Sequence, residues 1–280
     1  MTIAIVGAGV MGSGTALDFA IKGFDVLIKD IDATALARSR EMIKTDFRMV
    51  KMIAKDLADL KIQEVLDRIK FQDTYDNFDK ADLVIENIVE DSAIKKSEYQ
   101  RLSKNCKENI IFAINTSCIS ITQLAAHLPN PERVIGTHFM NPVPLKKMVE
   151  VIRGYHTSDK TVDEIREFLR QLGKKAVVIN DYPGFVSNRL SHLFMNEAAF
   201  VVQDNVALPE QVDQIFKQGY GHQMGPLETA DLIGLDTVVN SLQVLYESYQ
   251  DPKFRVCPLL KKMVMAGLLG RKSGQGFYKY

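Results

Sequence analysis

The stretch that decides the fold lies at the start of the chain and reads Ile3-Ala4-Ile5-Val6-Gly7-Ala8-Gly9-Val10-Met11-Gly12. The apolar run before the first glycine predicts a strand buried on both faces, as in a parallel sheet. A helical pattern follows from Met11 to Lys22, and Gly23 stands where such a helix would end. The next apolar run, Phe24 to Ile28, predicts a second strand, so the stretch opens a β-α-β unit of about thirty residues.

The glycines of this stretch are spaced G-x-G-x-x-G between a predicted strand and a predicted helix. In that context the first permits a tight turn, the second lets the backbone approach a pyrophosphate, and the third lets helix and strand pack closely. The helix N-terminus also presents N–H groups to the phosphates. The sequence therefore predicts a dinucleotide site. Its contact residues are Gly7, Gly9, Val10, Met11 and Gly12.

Asp30 ends the second predicted strand. A carboxylate there accepts hydrogen bonds from a ribose 2′-hydroxyl and repels a 2′-phosphate, so NAD is predicted as the cofactor in preference to NADP. Flavin dinucleotides share the glycine fingerprint and stay an alternative. The second alternative is that the glycines form a purely structural turn and that Asp30 is a solvated side chain with no ligand.

The remaining pattern indicates two domains. No strand is predicted from Asp32 to Lys70, where two helix-like segments indicate an inserted helical hairpin at about residues 33–70. Strands and helices then alternate up to Ile179, and only helices follow Pro183-Gly184, including one long helix from Leu227 to Tyr249. We expect an α/β fold with an N-terminal Rossmann-type doubly wound sheet over residues 1–182, followed by an all-α C-terminal domain over residues 183–280.

Composition excludes several classes of partner. Lys and Arg together number 35, as do Asp and Glu, so the electropositive excess expected for binding nucleic acid or an anionic membrane is missing. No apolar run has the length of a membrane span. The three cysteines do not form a disulfide framework, and no grouping of His, Cys and acids has metal-ligand spacing, so no metal is predicted. The N-terminus lacks the pattern of a signal peptide, and we expect a cytoplasmic protein.

Polar residues follow or interrupt the later strands in Asn115-Thr116-Ser117-Cys118, His138-Phe139-Met140-Asn141-Pro142 and Met148-Val149-Glu150-Val151-Ile152. Ligands in open α/β sheets bind beyond the carboxyl ends of the strands. A carboxylate inside an apolar strand, such as Glu150, is costly unless it is paired, and His138 is the nearest candidate in sequence. Such a histidine is suited to take a hydroxyl proton at neutral pH while the carboxylate fixes its tautomer. A core histidine bonded to backbone is the alternative.

Several motifs together resemble the 3-hydroxyacyl-CoA dehydrogenase family, and within it the bacterial 3-hydroxybutyryl-CoA dehydrogenases. The resemblance extends over essentially the whole chain. The motifs are Gly7 to Gly12, Asn115-Thr116-Ser117, His138 to Pro142, Val149 to Ile152, Pro183-Gly184-Phe185-Val186-Ser187-Asn188-Arg189, Met224-Gly225-Pro226-Leu227 and Leu269-Gly270-Arg271-Lys272-Ser273-Gly274.

The resemblance implies NAD-dependent oxidation of an L-3-hydroxyacyl thioester to the 3-oxoacyl thioester, or the reverse reduction, in fatty acid metabolism. It implies that His138 is the general base and that Glu150 orients it. Ser117 would hydrogen-bond the substrate hydroxyl, and Asn188 the substrate near its carbonyl group. The C-terminal domain would form one wall of the cleft and the interface of a homodimer. Further cofactor contacts implied are Glu90, Lys95, Asn115 and Asn141, and contacts to the CoA phosphates are Lys51 and Lys55.

Each of these roles has a structural alternative. Ser117 could cap the following helix, Asn188 could satisfy backbone groups, and Lys51 and Lys55 could belong to a solvated helix face. Cys118 stands where the family commonly has a second serine, and we interpret it as a packing residue because hydride transfer needs no nucleophile.

The acyl carrier has an alternative as well. The hairpin stretch Met49 to Asp56 is more apolar than in typical family members that bind free CoA. An acyl-carrier protein, which presents the same phosphopantetheine arm, is therefore a second possible carrier. A non-catalytic NAD-binding protein of the same fold is the third hypothesis.

Overall fold

A sheet of eight strands organises the first of two units, Met1–Asp181 and Tyr182–Tyr280, in the computed structural model, which describes residues 1–54 and 57–280. The strands lie in the order β3-β2-β1-β4-β5-β6-β7-β8. Every neighbouring pair is parallel except β6 and β7, which are antiparallel. In chain order they are β1 (Thr2–Val6), β2 (Asp25–Lys29), β3 (Ile69–Gln72), β4 (Leu83–Glu86), β5 (Ile111–Ile114), β6 (Val134–His138), β7 (Met148–Arg153) and β8 (Lys175–Asn180).

Helices connect these strands. Several begin with a side chain that caps the first turn: Asp32 accepts from the backbone N–H of Thr34, and Asp91 accepts from those of Ala93 and Ile94. The helices of the first unit are α1 (Val10–Ile21), α2 (Ala33–Ile53), α3 (Ile62–Asp67), α4 (Ser92–Asn105), α5 (Ile121–Ala125) and α6 (Asp159–Gln171).

The predicted hairpin corresponds to α2 and α3, but one part of the prediction is wrong. Ile69 and Lys70, placed in a strand-free segment, begin β3, which pairs with β2 at the edge of the sheet. The strand has only four residues, of which two are buried, whereas the central strands β4 and β5 are buried throughout. A short edge strand of this kind gives little period-2 signal beside a preceding helix.

The second unit is helical, as the predicted fold class requires, and that class is confirmed. Its core contains Ala230, Leu235 and Leu242, all fully buried. The predicted long helix from Leu227 to Tyr249 is wrong, because the chain breaks at Gly234, whose φ of 103° interrupts a helix. The helices are α7 (Ser187–Gln203), α8 (Pro209–Gln214), α9 (Pro226–Ile233), α10 (Leu235–Tyr249) and α11 (Pro258–Met265), and a π-helical turn, Ile215–Gly219, follows α8.

A buried ion pair ties α1 to the segment that joins β6 and β7. The ammonium of Lys174 lies 3.0 Å from the Asp18 carboxylate and donates to the backbone oxygens of Val143 and Lys146, each at 2.6 Å. Burial raises the pKa of Asp18 to about 6, against the opposing effect of Lys174.

This pair makes stability depend on pH. An unfolded aspartate titrates near 3.9, so the folded state binds this proton more tightly. The contribution of Asp18 is therefore fully present at low pH and is lost as the pH rises from about 4 to about 6. We expect the free energy of unfolding of the wild type to fall relative to Asp18→Asn by about 1–3 kcal/mol over that interval.

Urea unfolding of both proteins between pH 4 and pH 7 measures this difference. If the wild type instead gained stability over Asp18→Asn as the pH rose, the ion pair with Lys174 would be the stronger effect, and our assignment of the sign would be wrong.

Candidate active site

The glycine loop joins β1 to α1, and two of its glycines are required by sterics. Gly7 has a φ of 99°, and a Cβ there would lie 2.6 Å from the backbone oxygen of Asn87. A Cβ on Gly12 would lie 1.8 Å from the backbone oxygen of Gly7. Only glycine fits at either position. Strand β1 and helix α1 therefore pack closely against each other, as the fingerprint predicts.

Gly9 differs from these two glycines, because a Cβ on it would meet no atom of the described residues within 4 Å. It is the N-cap of α1, with Val10 and Met11 in the first turn, and the described part of the chain provides no side-chain cap there. Open space in front of an uncapped helix N-terminus fits the approach of a pyrophosphate. The residues present therefore fit a dinucleotide.

Asp30 follows β2 and lies beside this loop. One oxygen of its carboxylate accepts from the backbone N–H of Ala8 at 2.7 Å, and the other accepts from that of Asp32 at 3.0 Å. The side chain is half-buried. The carboxylate is thus fixed at the end of β2, next to the glycine loop.

His138 and Glu150 meet across the antiparallel strands β6 and β7. They are opposite each other in the register, and Nδ1 of His138 lies 2.9 Å from Oε2 of Glu150. Glu150 is 4% exposed. When Glu150 is ionised it only accepts hydrogen bonds, so that Nδ1 of His138 carries the proton and Nε2 is left as the basic nitrogen. The structure thus brings this predicted pair together.

Asn115 ends β5 and links the neighbouring strand ends. Its side-chain amide donates to Oδ1 of Asn87, after β4, at 2.7 Å, and its Oδ1 accepts from the backbone N–H of Phe139, after β6, at 3.3 Å. These bonds hold three neighbouring strand ends in place. Asn141 lies further along the segment after β6 and is exposed.

The loop that carries Ser117 is wrapped around the carboxylate of Glu90. One oxygen of Glu90 accepts from the Thr116 hydroxyl, from the backbone N–H of Ser117 at 2.9 Å and from that of Cys118 at 3.3 Å. Ser117 is exposed, whereas Cys118 is buried in the core. Glu90 was predicted as a cofactor contact, and the structure adds that it organises the loop of Ser117.

Lys95 is fully buried, with its ammonium between two carboxylates. It lies 2.7 Å from Glu86 and 3.6 Å from Glu90. Burial raises the pKa of Glu86, against the opposing effects of Lys95 and of a hydrogen bond from Tyr99. Sequence reasoning missed Glu86, although it ends the apolar strand β4 and gives the same signal of a costly buried carboxylate as Glu150.

The remaining predicted residues lie elsewhere. The ammonium of Lys51 donates to the backbone oxygen of Leu60 at 3.0 Å and so closes the hairpin. Lys55 lies outside the described residues. Asn188 is the second residue of α7, in the second unit, and its backbone oxygen lies 2.9 Å from Nδ1 of His192.

Within residues 1–54 and 57–280, no group of three His, Cys, Asp or Glu side chains is placed to hold a metal ion. In the same ranges, no helix is both long and apolar enough to cross a membrane.

Comparison with known proteins gives one consistent result. The model of the 3-hydroxyacyl-CoA dehydrogenase NAD-binding domain matches residues 2–182, and that of the C-terminal domain matches residues 184–280. A probable 3-hydroxybutyryl-CoA dehydrogenase of Deinococcus radiodurans is 47% identical over 280 residues, which cover 100% of both chains. One from Bacillus subtilis is 44% identical over 283 residues, covering 99% of this chain and 96% of the relative.

Solved structures agree with these sequences. The crystal structure of (S)-3-hydroxybutyryl-CoA dehydrogenase from Ralstonia eutropha superposes with a TM-score of 0.92 at 40% identity, covering 100% of this chain and 98% of that one. The chain therefore belongs to the 3-hydroxyacyl-CoA dehydrogenase family and is an NAD-dependent oxidoreductase.

Proposed function

We propose that the protein interconverts an L-3-hydroxyacyl thioester and its 3-oxoacyl thioester, with coenzyme A as the acyl carrier and a short substrate of the 3-hydroxybutyryl type, in fatty acid metabolism. The contact between His138 and Glu150 is the observation that carries the proposal. The names of the relatives support the substrate class.

In this reaction, Nε2 of His138 takes the proton of the substrate hydroxyl. The carboxylate of Glu150 keeps Nδ1 protonated and stabilises the imidazolium as it forms. The hydroxyl of Ser117 hydrogen-bonds the substrate oxygen and so aligns its proton with His138. Bound at the glycine loop and Asp30, NAD would supply the acceptor for the hydride that leaves the carbon bearing the hydroxyl. The role of Asn188 at the carbonyl side of the substrate is supported by its motif.

Replacing the base tests this proposal. His138→Gln keeps a hydrogen-bonding side chain but removes the group that takes the proton, so kcat should fall about 10²- to 10⁴-fold. The dissociation constant for NADH, followed by its fluorescence, should stay within about twofold of the wild type, because the glycine loop and Asp30 are unchanged.

His156→Gln is the matched control. His156 is an exposed histidine in the same unit and should tolerate the same change without loss of kcat. If His138→Gln retained more than a tenth of the wild-type kcat, His138 would not be the base.

An acyl-carrier protein is the second candidate for the acyl carrier of the substrate, and one observation favours it. At the end of α2, Met52 is 80% exposed and Ile53 is 62% exposed, and such an apolar surface suits a protein partner. Lys51, the described lysine predicted to contact the CoA phosphates, donates to the backbone of the hairpin itself.

The two carriers can be compared directly. We expect kcat/KM for 3-hydroxybutyryl-CoA to exceed that for the same acyl group on an acyl-carrier protein by about tenfold or more, because the similar proteins are named 3-hydroxybutyryl-CoA dehydrogenases. A preference for the carrier protein would transfer the assignment to the second candidate. Met52→Glu, which places a negative charge on the apolar surface, should then reduce kcat/KM for the carrier-bound substrate alone.

We also propose a homodimer that forms through the C-terminal unit. Large apolar side chains on its surface support this, among them Leu190 at 63%, Val206 at 75% and Met265 at 87% exposed. A cytoplasmic location stays a prediction from the sequence.

A further inference from the structure

A buried polar cluster lies behind the loop that carries Ser117. Glu86 is 1% exposed, and Lys95 and Tyr99 are fully buried. The ammonium of Lys95 donates to both oxygens of Glu86, at 2.7 and 2.8 Å, and the hydroxyl of Tyr99 donates to Oε2 at 2.7 Å. The backbone N–H of Ile88 donates to Oε1 at 2.7 Å. Glu86 is therefore fixed from several directions.

The same ammonium reaches a second carboxylate. Oε2 of Glu90 lies 3.6 Å from Nζ of Lys95, and the other oxygen of Glu90 holds the Ser117 loop. The hydroxyl of Thr116, itself bonded to Glu90, accepts from the backbone N–H of Ile119 at 3.1 Å. An unbroken series of polar contacts thus connects Glu86 through Lys95 and Glu90 to the loop.

The charges explain why these contacts depend on one another. Lys95 is a single cation between two anions, and the anions would repel each other without it. Glu90 is 38% exposed, so its attraction to Lys95 is partly screened, and its position depends on how firmly Lys95 is held. Glu86 and Tyr99 supply that firm hold, because long lysine side chains otherwise adopt many rotamers.

We propose that Glu86 and Lys95 are positioning residues for the reaction: they hold Glu90, and through Glu90 they hold the backbone that places the Ser117 hydroxyl. The part that concerns Ser117 chemistry rests on the proposed function. In this assignment Lys95 acts through Glu90. Glu86, which the sequence did not single out, holds Lys95 in place.

The chain offers a matched control cluster. Glu98, also on α4, accepts from Lys29 at 2.9 Å and from the hydroxyl of Tyr75 at 2.6 Å, and it is 7% exposed. The chemistry of a buried Lys–Glu–Tyr group is thus the same, but its lysine ends β2 and donates to Glu98 and Tyr75. Comparing Glu86→Gln with Glu98→Gln separates loss of position from general loss of stability.

Hydrogen exchange tests the positioning without any substrate. The amides of Ser117 and Cys118 donate to Glu90, so Glu86→Gln should make the peptide covering residues 115–119 exchange about tenfold faster. Glu98→Gln should leave that peptide within about twofold of the wild type. Tyr99→Phe, which removes one hydrogen bond and is less disruptive, should show the same effect at about threefold. Unchanged exchange in both Glu86→Gln and Tyr99→Phe would overturn the proposal.

Steady-state kinetics test whether the position of the Ser117 loop affects the reaction rate. In Glu86→Gln, kcat at saturating NAD should fall about ten- to a hundredfold, with a smaller change in the KM for the thioester, because misplacing a reacting group costs rate more than binding. Glu98→Gln should keep kcat within about twofold. In a Ser117→Ala background, Glu86→Gln should lower kcat by less than about threefold, because the group it positions is already missing.

The outcomes separate the two claims. Positioning through Ser117 would be contradicted if Glu86→Gln lowered kcat as much in the Ser117→Ala background as in the wild type. It would also be contradicted if Glu98→Gln lowered kcat as much as Glu86→Gln does. If Ser117→Ala alone kept wild-type kcat, the proposed function would lose its hydroxyl contact, while the exchange data would still decide whether Glu86 orders the loop.

Discussion

The reversal of chain direction between β6 and β7 is the constraint on which the candidate site depends. The other strand pairs are parallel, and parallel neighbours need a long crossover, usually a helix. Here a short segment turns the chain back, so two residues that are twelve apart in sequence become cross-strand neighbours. The buried ion pair of Asp18 and Lys174 holds this segment against α1. The helix that follows the glycine loop is thereby joined to the segment between His138 and Glu150.

The order of predicted strands and helices and the glycine fingerprint were accessible from the sequence because local patterns determine them. Gly7 and Gly12 are required because any side chain would clash with the backbone, and the G-x-G-x-x-G spacing marks both positions in the sequence. Glu150 was accessible for a different reason: a carboxylate in an apolar strand must be paired, and its partner ends the preceding strand. The failures occurred where local pattern is weak. An edge strand shows little periodicity, and the break at Gly234 depends on a positive φ that a helix-forming neighbourhood conceals.

Lysines show what the sequence could not supply. Lys51 and Lys95 were both predicted to face a ligand, and in the structure both ammonium groups have acceptors within the protein. A lysine side chain is long and flexible, so its sequence position does not determine where its charge lies. Glu86 was missed for the complementary reason. Its partners, Lys95 and Tyr99, lie on the following helix rather than on a neighbouring strand, and only the packing of that helix on the sheet brings them together.

Helix α4 explains why so much charge is buried on one side of the sheet. Lys95 and Tyr99, one turn apart, contact Glu86 at the end of β4, and Glu98, which lies between them in sequence, contacts Lys29 at the end of β2. Buried ion pairs contribute little net stability compared with apolar side chains of similar volume, because desolvation offsets their attraction. An apolar helix would therefore serve stability equally well. The hydrogen bonds from Lys95 and Tyr99 to Glu86, however, fix α4 against the end of β4, and Lys95 also faces Glu90. In the proposed arrangement these contacts contribute more to the position of Glu90 and the Ser117 loop than to the free energy of folding.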